Sequence, residues 1–266
     1  RRLLCVASCL LAGVAEARIT LPMLTAAEIS ASCEQALTLG AARAQQLAQG
    51  RVDGPVLHGW DRMMASVENT VGPVYILAYV HPDKTVRDAG EACIVEYTQF
   101  ETSLYQDEAL YAAISDVEPQ DAIDAKLKQD LLIAFADAGV SLPPERRQRA
   151  AAILTELQSL GQRFARNIRE NNTKLTFSGD ELAGLPASYL EQHDVQPGGS
   201  LTVGFDYPDY GPFMRSASNE SARQRYYTAF NRRGGAENLE LLDRIVELRH
   251  EYAGLHGLES YAEFVL

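Results

Sequence analysis

Apolar residues recur at helical spacing along most of the chain. Thr25 and Glu28 form the capping box that would begin the first helix, and Gly50 would end it. The same spacing predicts further helices over residues 56–79, 83–115, 120–138, 143–170, 219–233 and 236–252. Gly72-Pro73 interrupts the first of these, which predicts either two helices or one sharply kinked helix.

Two short segments depart from this helical pattern. Residues 174–177 and 200–205 alternate apolar and polar side chains, as short strands do. Between them, Ser178 and Glu181 would cap a short helical piece. Residues 206–212 then have the proline and glycine content of a loop. The pattern therefore predicts an all-α fold, one elongated helical domain with a minor pair of short strands.

The N-terminal residues have the layout of a secretory signal. Arg1-Arg2 precedes an apolar run over residues 3–14, which ends in the small-x-small sequence Ala15-Glu16-Ala17. The run is shorter than the roughly 20 residues that span a bilayer, so we expect no stable membrane span. We therefore expect a signal peptide at 1–17, a helical domain at 18–266, and a periplasmic or secreted protein.

The four cysteines leave two questions open. Val6-Ala7-Ser8-Cys9 fits a bacterial lipoprotein cleavage box, which would make Cys9 a lipidated residue. Cys33 and Cys93 would form a disulfide in an oxidising compartment. Both also occupy apolar positions of predicted helices, where a free cysteine behaves as a small hydrophobe. The pattern favours separate buried thiols slightly over a bond.

The charge balance excludes one class of partner. The chain has 36 acidic and 24 basic side chains, a formal net charge of -12 and a pI near 4.9. Binding of nucleic acid needs a basic face that neutralises phosphates, so we expect no nucleic-acid partner. Acidity of this kind selects no substrate, since it is typical of a solvated surface.

The string from His250 to His256 contains elements of a zinc motif but fails its spacing. Zinc peptidases of the HExxH type place two histidines at i and i+4, on one face of a helix. Here the second histidine comes six positions after the first, about 120° around the helix. The spacing favours an ordinary surface helix end over a metal site. We therefore predict no catalytic residue and no metal ligand in this chain.

An aromatic segment at residues 205–215 is the candidate for binding. Tyr207 and Tyr210 would contribute to an aromatic recognition wall, with Arg215 available for a carboxylate. Alternatively, these rings pack two subdomains together.

Several ordered blocks resemble the thimet oligopeptidase, oligopeptidase A and peptidyl-dipeptidase family, over nearly all of the chain after the leader. They are residues 81–93 (HPD-x-x-VR-x-A-x-x-x-C), 171–177 (a threonine-bearing strand), 181–186 (EL-x-GLP), 206–215, 223–238 and 248–262 (LR-x-x-x-A-x-L-L-G-Y-x-S-Y-A). His256 and Leu258 depart from the leucine and aromatic positions of the last block.

The resemblance implies the N-terminal lobe of a bilobed, helical peptidase clamp, whose deep channel admits short peptides. In that family a zinc-bound water attacks the peptide carbonyl, and the zinc ligands and the glutamate base of HExxH lie in the C-terminal half. We therefore expect zinc in the full-length enzyme but none bound by this segment. Its partners would be short peptides and a catalytic lobe beyond Leu266, and Tyr207, Tyr210 and Arg215 are its candidate channel residues.

The same interpretation predicts a segment that is inactive alone and carries exposed apolar patches where the other lobe would pack. Ser260 and Glu263 would cap a helix just where the chain stops, which also favours a continuation. The alternative is a stand-alone, non-catalytic periplasmic helical protein that binds peptides, or a lipoprotein of that kind.

Overall fold

A computed structural model describes residues 21–266, and 72% of these residues are helical. The helices are α1 (Ala26–Ala48), α2 (Val56–Val80), α3 (Lys84–Tyr105), α4 (Glu108–Ser115), α5 (Ala122–Asp137), α6 (Pro144–Arg169), α7 (Ala187–Gln192), α8 (Tyr207–Ser216), α9 (Glu220–Asn231), α10 (Gly235–Leu255) and α11 (Tyr261–Val265). The strands β1 (Leu175–Phe177) and β2 (Leu201–Val203) form an antiparallel pair. The all-α prediction with a minor strand pair is confirmed.

Two predictions about the leader lie outside the described residues, namely the signal peptide at 1–17 and the lipidation of Cys9. Within residues 21–266, no helix is both long enough and apolar enough to cross a membrane.

The predicted helix starts are confirmed where side chains cap the backbone. The Thr25 hydroxyl accepts a hydrogen bond from the Glu28 N–H at 3.3 Å, and the Glu28 carboxylate accepts one from the Thr25 N–H at 2.8 Å. At the other end of the helical array, the Ser260 hydroxyl accepts from the Glu263 N–H and begins α11. Local capping chemistry thus sets these boundaries.

One helical segment matches one of the two predicted alternatives, and another differs from the prediction. Residues 56–80 form a single helix, α2, with Pro73 inside it. The predicted helix over 83–115 is instead divided into α3 and α4. Asp107 causes the division, because its carboxylate accepts hydrogen bonds from the N–H groups of Ala109 and Leu110, at 2.8 and 2.9 Å, and so begins a new helix.

The largest buried core lies among α1 to α5. Helices α1, α2 and α3 pack against one another in pairs, around buried side chains that include Leu57, Trp60 and Phe135. Gly90 of α3 allows the closest approach. A Cβ at this position would lie 2.8 Å from the Cβ and 3.1 Å from the Cα of Ala78 on α2. The absence of a side chain at Gly90 therefore brings the two helix backbones together.

A disulfide joins Cys33 of α1 to Cys93 of α3, with the two Cα atoms 5.9 Å apart. The sequence-based preference for separate thiols is therefore wrong. Both cysteines do occupy buried, apolar positions, as expected. The reason for the error is that the apolar faces of α1 and α3 pack directly on each other, which puts the two side chains within bonding distance.

Helix α6 connects this core to the rest of the chain. It packs against α3 on one side and α10 on the other. Between α6 and α3, the buried Glu91 carboxylate accepts hydrogen bonds from Arg166 and Arg169. Between α6 and α10, a second buried cluster includes Ile153 and Leu248. The segment that carries the strands and α7 to α9 has its own third cluster.

Candidate functional site

The candidate residues Tyr207, Tyr210 and Arg215 lie on α8, a helix where the sequence predicted a loop over residues 206–212. That loop prediction is wrong. Pro208 falls in the first helical turn, where a backbone N–H would have no helical partner and its loss costs nothing. The Asp206 carbonyl accepts from the N–H groups of residues 209 and 210, at 3.0 and 2.9 Å, which starts the helix.

The strand pair forms the base on which α8 and α9 pack. Leu175 pairs with Val203 and Phe177 with Leu201, and Phe177 is fully buried between the strands and the helices. On the outer face, the hydroxyls of Thr176 and Thr202 are hydrogen-bonded at 2.8 Å. The alternation read from the sequence thus separates a buried face from a polar one, as in a half-covered sheet.

Tyr226 of α9 is the centre of the aromatic cluster beneath α8. Its ring centroid lies 5.4 Å from that of Phe177, 5.1 Å from Phe213 and 5.2 Å from Tyr210. Its O–H donates to the Gly204 carbonyl at 2.6 Å, so the buried hydroxyl has a partner. Burial, followed by the nearby Asp209, raises the pKa of Tyr226. Tyr226 therefore holds the strand pair, α8 and α9 together as a neutral side chain.

The Tyr210 ring packs against the protein, whereas the Tyr207 ring is exposed. The Tyr210 ring stacks on Phe230 with centroids 3.8 Å apart and an angle of 15° between the planes. Burial raises the pKa of Tyr210, with neighbouring tyrosines adding to the effect. Tyr207 meets the edge of Phe230 at 5.6 Å but keeps 72% of its surface exposed. Of the two rings, only Tyr207 projects far from the protein.

Arg215 is exposed on the same side of α8 as Tyr207. Residues 207, 211 and 215 are spaced by four, which aligns them along one helix face. A Cβ at Gly211 would lie 3.3 Å from Nη1 of Arg215, so the guanidinium extends back over the glycine toward Tyr207. The face thus offers an aromatic ring and a cation side by side, groups that suit an apolar side chain and a carboxylate.

A histidine–carboxylate pair beside α8 was not found from the sequence. Nε2 of His193 lies 2.9 Å from Oδ1 of Asp209, and the Tyr189 O–H donates to the same oxygen at 3.2 Å. Burial, followed by Asp209, raises the pKa of Tyr189. No signal in the sequence links His193 to Asp209, because their contact depends on the helical backbone of α8. The pair fixes α7 against α8.

The side chains of the His250 to His256 string do not fit a metal. The Glu251 carboxylate is held by Arg149, whose Nε and Nη2 donate to its two oxygens at 2.6 Å each. These hydrogen bonds lower the pKa of Glu251. His250 is exposed, whereas His256 turns inward between the rings of Tyr252 and Phe264, at 5.0 and 5.2 Å. Within residues 21–266, no three His, Cys, Asp or Glu side chains converge as a metal site would require.

His256 gives a testable prediction about pH. Burial lowers its pKa, and its Nε2 is buried without a hydrogen-bond partner in the described residues. As pH falls below about 6.5, the unfolded state takes up a proton that the folded state resists, so stability decreases. We expect His256→Leu to stabilise the protein by about 1 kcal/mol at pH 8, because an unpaired polar atom is removed, and by more at pH 5.

Urea unfolding of both proteins at the two pH values measures this difference. His250→Leu, on the exposed side of the same helix, is the matched control and should show no such dependence. A gain for His256→Leu that is equal at pH 5 and pH 8 would contradict the assigned cause.

The amino-acid sequence is similar to those of several known oligopeptidases. No protein-family model matches the chain. It is 30% identical over 243 residues to oligopeptidase A of Salmonella typhimurium, an alignment that covers 79% of this chain and 36% of that protein. It is also 30% identical over 231 residues to oligopeptidase A of Escherichia coli, covering 76% and 34%. Saccharolysin of Saccharomyces cerevisiae is 26% identical over 234 residues, covering 81% and 33%.

The chain thus spans about a third of the length of these curated relatives. The similarity extends over most of the described helices rather than one motif, and it agrees with the resemblance seen in the sequence blocks. The chain therefore corresponds to an N-terminal part of the oligopeptidase A and thimet oligopeptidase family.

Proposed function

We propose that this chain forms one wall of the peptide channel of a zinc oligopeptidase that hydrolyses short peptides. Support for peptide hydrolysis comes from its relatives, which are oligopeptidases. The metal would be held by residues other than those described here, since the side chains of His250, Glu251 and His256 are unsuited to it. The contribution of this chain is then to bind and orient substrate.

The observation that carries the proposal is an exposed apolar stripe on α10. Leu239, Leu242 and Val246 are spaced by three and four residues and are 65%, 43% and 57% exposed. Leu239 and Leu242 also line a cavity of about 560 Å³ between α6 and the α9–α10 connection. Contiguous apolar surface of this kind is typical of an interface, so we propose that α10 packs against the catalytic lobe of the complete protein.

The exposed face of α8 would contact the substrate. A short peptide presents apolar side chains and a terminal carboxylate, which match the ring of Tyr207 and the guanidinium of Arg215. Tyr210 would act indirectly, because its stacking on Phe230 fixes the orientation of α8. We therefore assign Tyr207 and Arg215 to binding and Tyr210 to positioning.

The test uses the protein made from the complete reading frame and a fluorogenic peptide substrate. We expect cleavage that a chelator abolishes. Tyr207→Ala and Arg215→Ala should each raise KM about ten-fold, the effect of losing one charged or aromatic contact. Arg146→Ala is the matched control for Arg215, since Arg146 is also exposed and without an ion pair in the described residues, and it should leave KM unchanged.

The packing role of α10 is tested separately. Leu242→Asp would place a charge in the interface and should lower activity, whereas Ile123→Asp, at a 78% exposed position on α5, should not. Chelator-sensitive cleavage by residues 18–266 alone would overturn the proposal, as would a complete protein that binds peptides without cleaving them. The second result would support the stand-alone binding protein instead.

A further inference from the structure

A cavity of about 780 Å³ lies between α1 and α2, within the size range of small-molecule sites. Its lining includes residues of α1, of the connection after it and of the first half of α2. The two helices are in close contact beside this cavity, because a Cβ at Gly59 would lie 2.7 Å from Cδ2 of Leu47. The cavity is thus a groove between the two helices that is open to solvent.

Three arginines from three different segments line this cavity. Arg43 belongs to α1, Arg51 to the connection and Arg62 to α2. Among residues 21–266, Asp53 is the only acidic residue in the lining, so three guanidinium groups and one carboxylate leave two net positive charges. The whole chain has a net charge of -12, which makes this pocket a local reversal of its charge.

None of the three arginines has a carboxylate partner within residues 21–266. Eight other arginines form such ion pairs, namely Arg87, Arg147, Arg149, Arg163, Arg166, Arg169, Arg225 and Arg244. Within the described residues, three guanidinium groups at one cavity therefore keep most of their donors available to a ligand.

The lining also includes a guanidinium that is bonded to the backbone and two neutral polar side chains. Nη2 of Arg62 donates to the Asp53 carbonyl at 3.3 Å, which ties that guanidinium to the connection. Ser66 and Asn69 follow Arg62 on the same face of α2, at positions spaced by three and four residues, and both line the cavity. A hydroxyl and an amide beside the cations provide further donors for anionic oxygens.

We infer that this pocket binds a small oligoanion, a molecule with two or more phosphate or carboxylate groups. Planar guanidinium groups bind both kinds of oxygen in bidentate geometry, and two net positive charges favour a ligand with more than one anionic group. The site lies on different helices from α8 and α10, so it is separate from the proposed peptide wall. Its existence does not depend on peptide hydrolysis.

Isothermal titration calorimetry of the purified chain tests the inference with four anions. Pyrophosphate and citrate represent the two kinds of oligoanion, and orthophosphate and acetate are their simpler counterparts. We expect at least one oligoanion to bind about ten-fold more tightly than its counterpart, because it engages more than one guanidinium. Binding of pyrophosphate alone identifies a phosphate ligand, and binding of citrate alone identifies a polycarboxylate.

Substitution of the three arginines tests whether the anion binds in this pocket. Replacing Arg43, Arg51 and Arg62 together by Gln should weaken the binding about ten-fold or more. The charge-matched control replaces Arg146, Arg232 and Arg249 by Gln. These three arginines are exposed elsewhere on the protein, so the control should retain the binding. Unchanged melting temperatures check that both variants fold. The inference is overturned if neither oligoanion binds, or if the control variant loses as much affinity as the pocket variant.

Discussion

Replacing both Cys33 and Cys93 by alanine should destabilise the protein by about 4 kcal/mol, the entropy cost expected for opening a ring of this size. The bond closes a loop with a sequence separation of 60 residues and joins α1 to α3. Both side chains are fully or almost fully buried, so alanine adds no unpaired polar group. In a protein of this length, such a loss corresponds to a fall in melting temperature of roughly 10 °C.

Scanning calorimetry with and without a reductant measures the effect and supplies its control. The reductant should lower the melting temperature of the wild-type protein toward that of the variant and leave the variant unchanged. Equal melting temperatures for the oxidised wild type and the variant would show that the bond contributes nothing.

Glu91→Ala should destabilise the protein by about 3 kcal/mol, because it removes a buried carboxylate and leaves its cationic partners uncompensated. Only 4% of Glu91 is exposed, and both of its oxygens accept hydrogen bonds, one from Arg166 and the other from Arg169. The Nε atoms of these arginines are themselves buried without partners in the described residues. The substitution therefore leaves two guanidinium groups between α3 and α6 with no counter-charge.

Urea unfolding compares this variant with Glu247→Ala. Glu247 also pairs with an arginine, Arg244, but its side chain is 69% exposed, and an exposed pair is worth at most about 1 kcal/mol. We expect Glu247→Ala to remain near the wild type. If the two substitutions cost the same, the buried pair would not contribute to the packing of α3 on α6.

Local chemistry explains which elements were predicted correctly. Helix starts at Thr25 and Ser260 depend on side chains three residues apart, and the structure has both caps. The two strands depend on an alternation within six residues or fewer, and they too are confirmed. Signals of this range are complete in the sequence itself.

The errors come from competition between local signals and from contacts between distant segments. Proline and glycine predicted a loop at residues 206–212, but a proline in the first turn is compatible with a helix. Cys33 and Cys93 are brought together only when α1 and α3 pack face to face. The contact of His193 with Asp209 likewise requires α8 to exist first. Periodicity shows which face of a helix is buried, but not which partner it meets.

The candidate site was predicted in part. Residue type and segment identified Tyr207, Tyr210 and Arg215, but only the helical backbone separates the stacked Tyr210 from the exposed Tyr207. The arginine-lined cavity gave no signal, because Arg43, Arg51 and Arg62 belong to three different segments and share no motif. Their common location follows from how α1 packs on α2.

The bond between α1 and α3 encloses α2 and both of its connections. A single break of the backbone at the exposed Gly54, or at the exposed Pro82 before α3, would therefore not release a fragment. The severed pieces would stay covalently linked and held in place by the surrounding helices. We therefore expect α1, α2 and α3 to stay together after a single backbone cut, whereas a helix bundle without this crosslink would release a fragment.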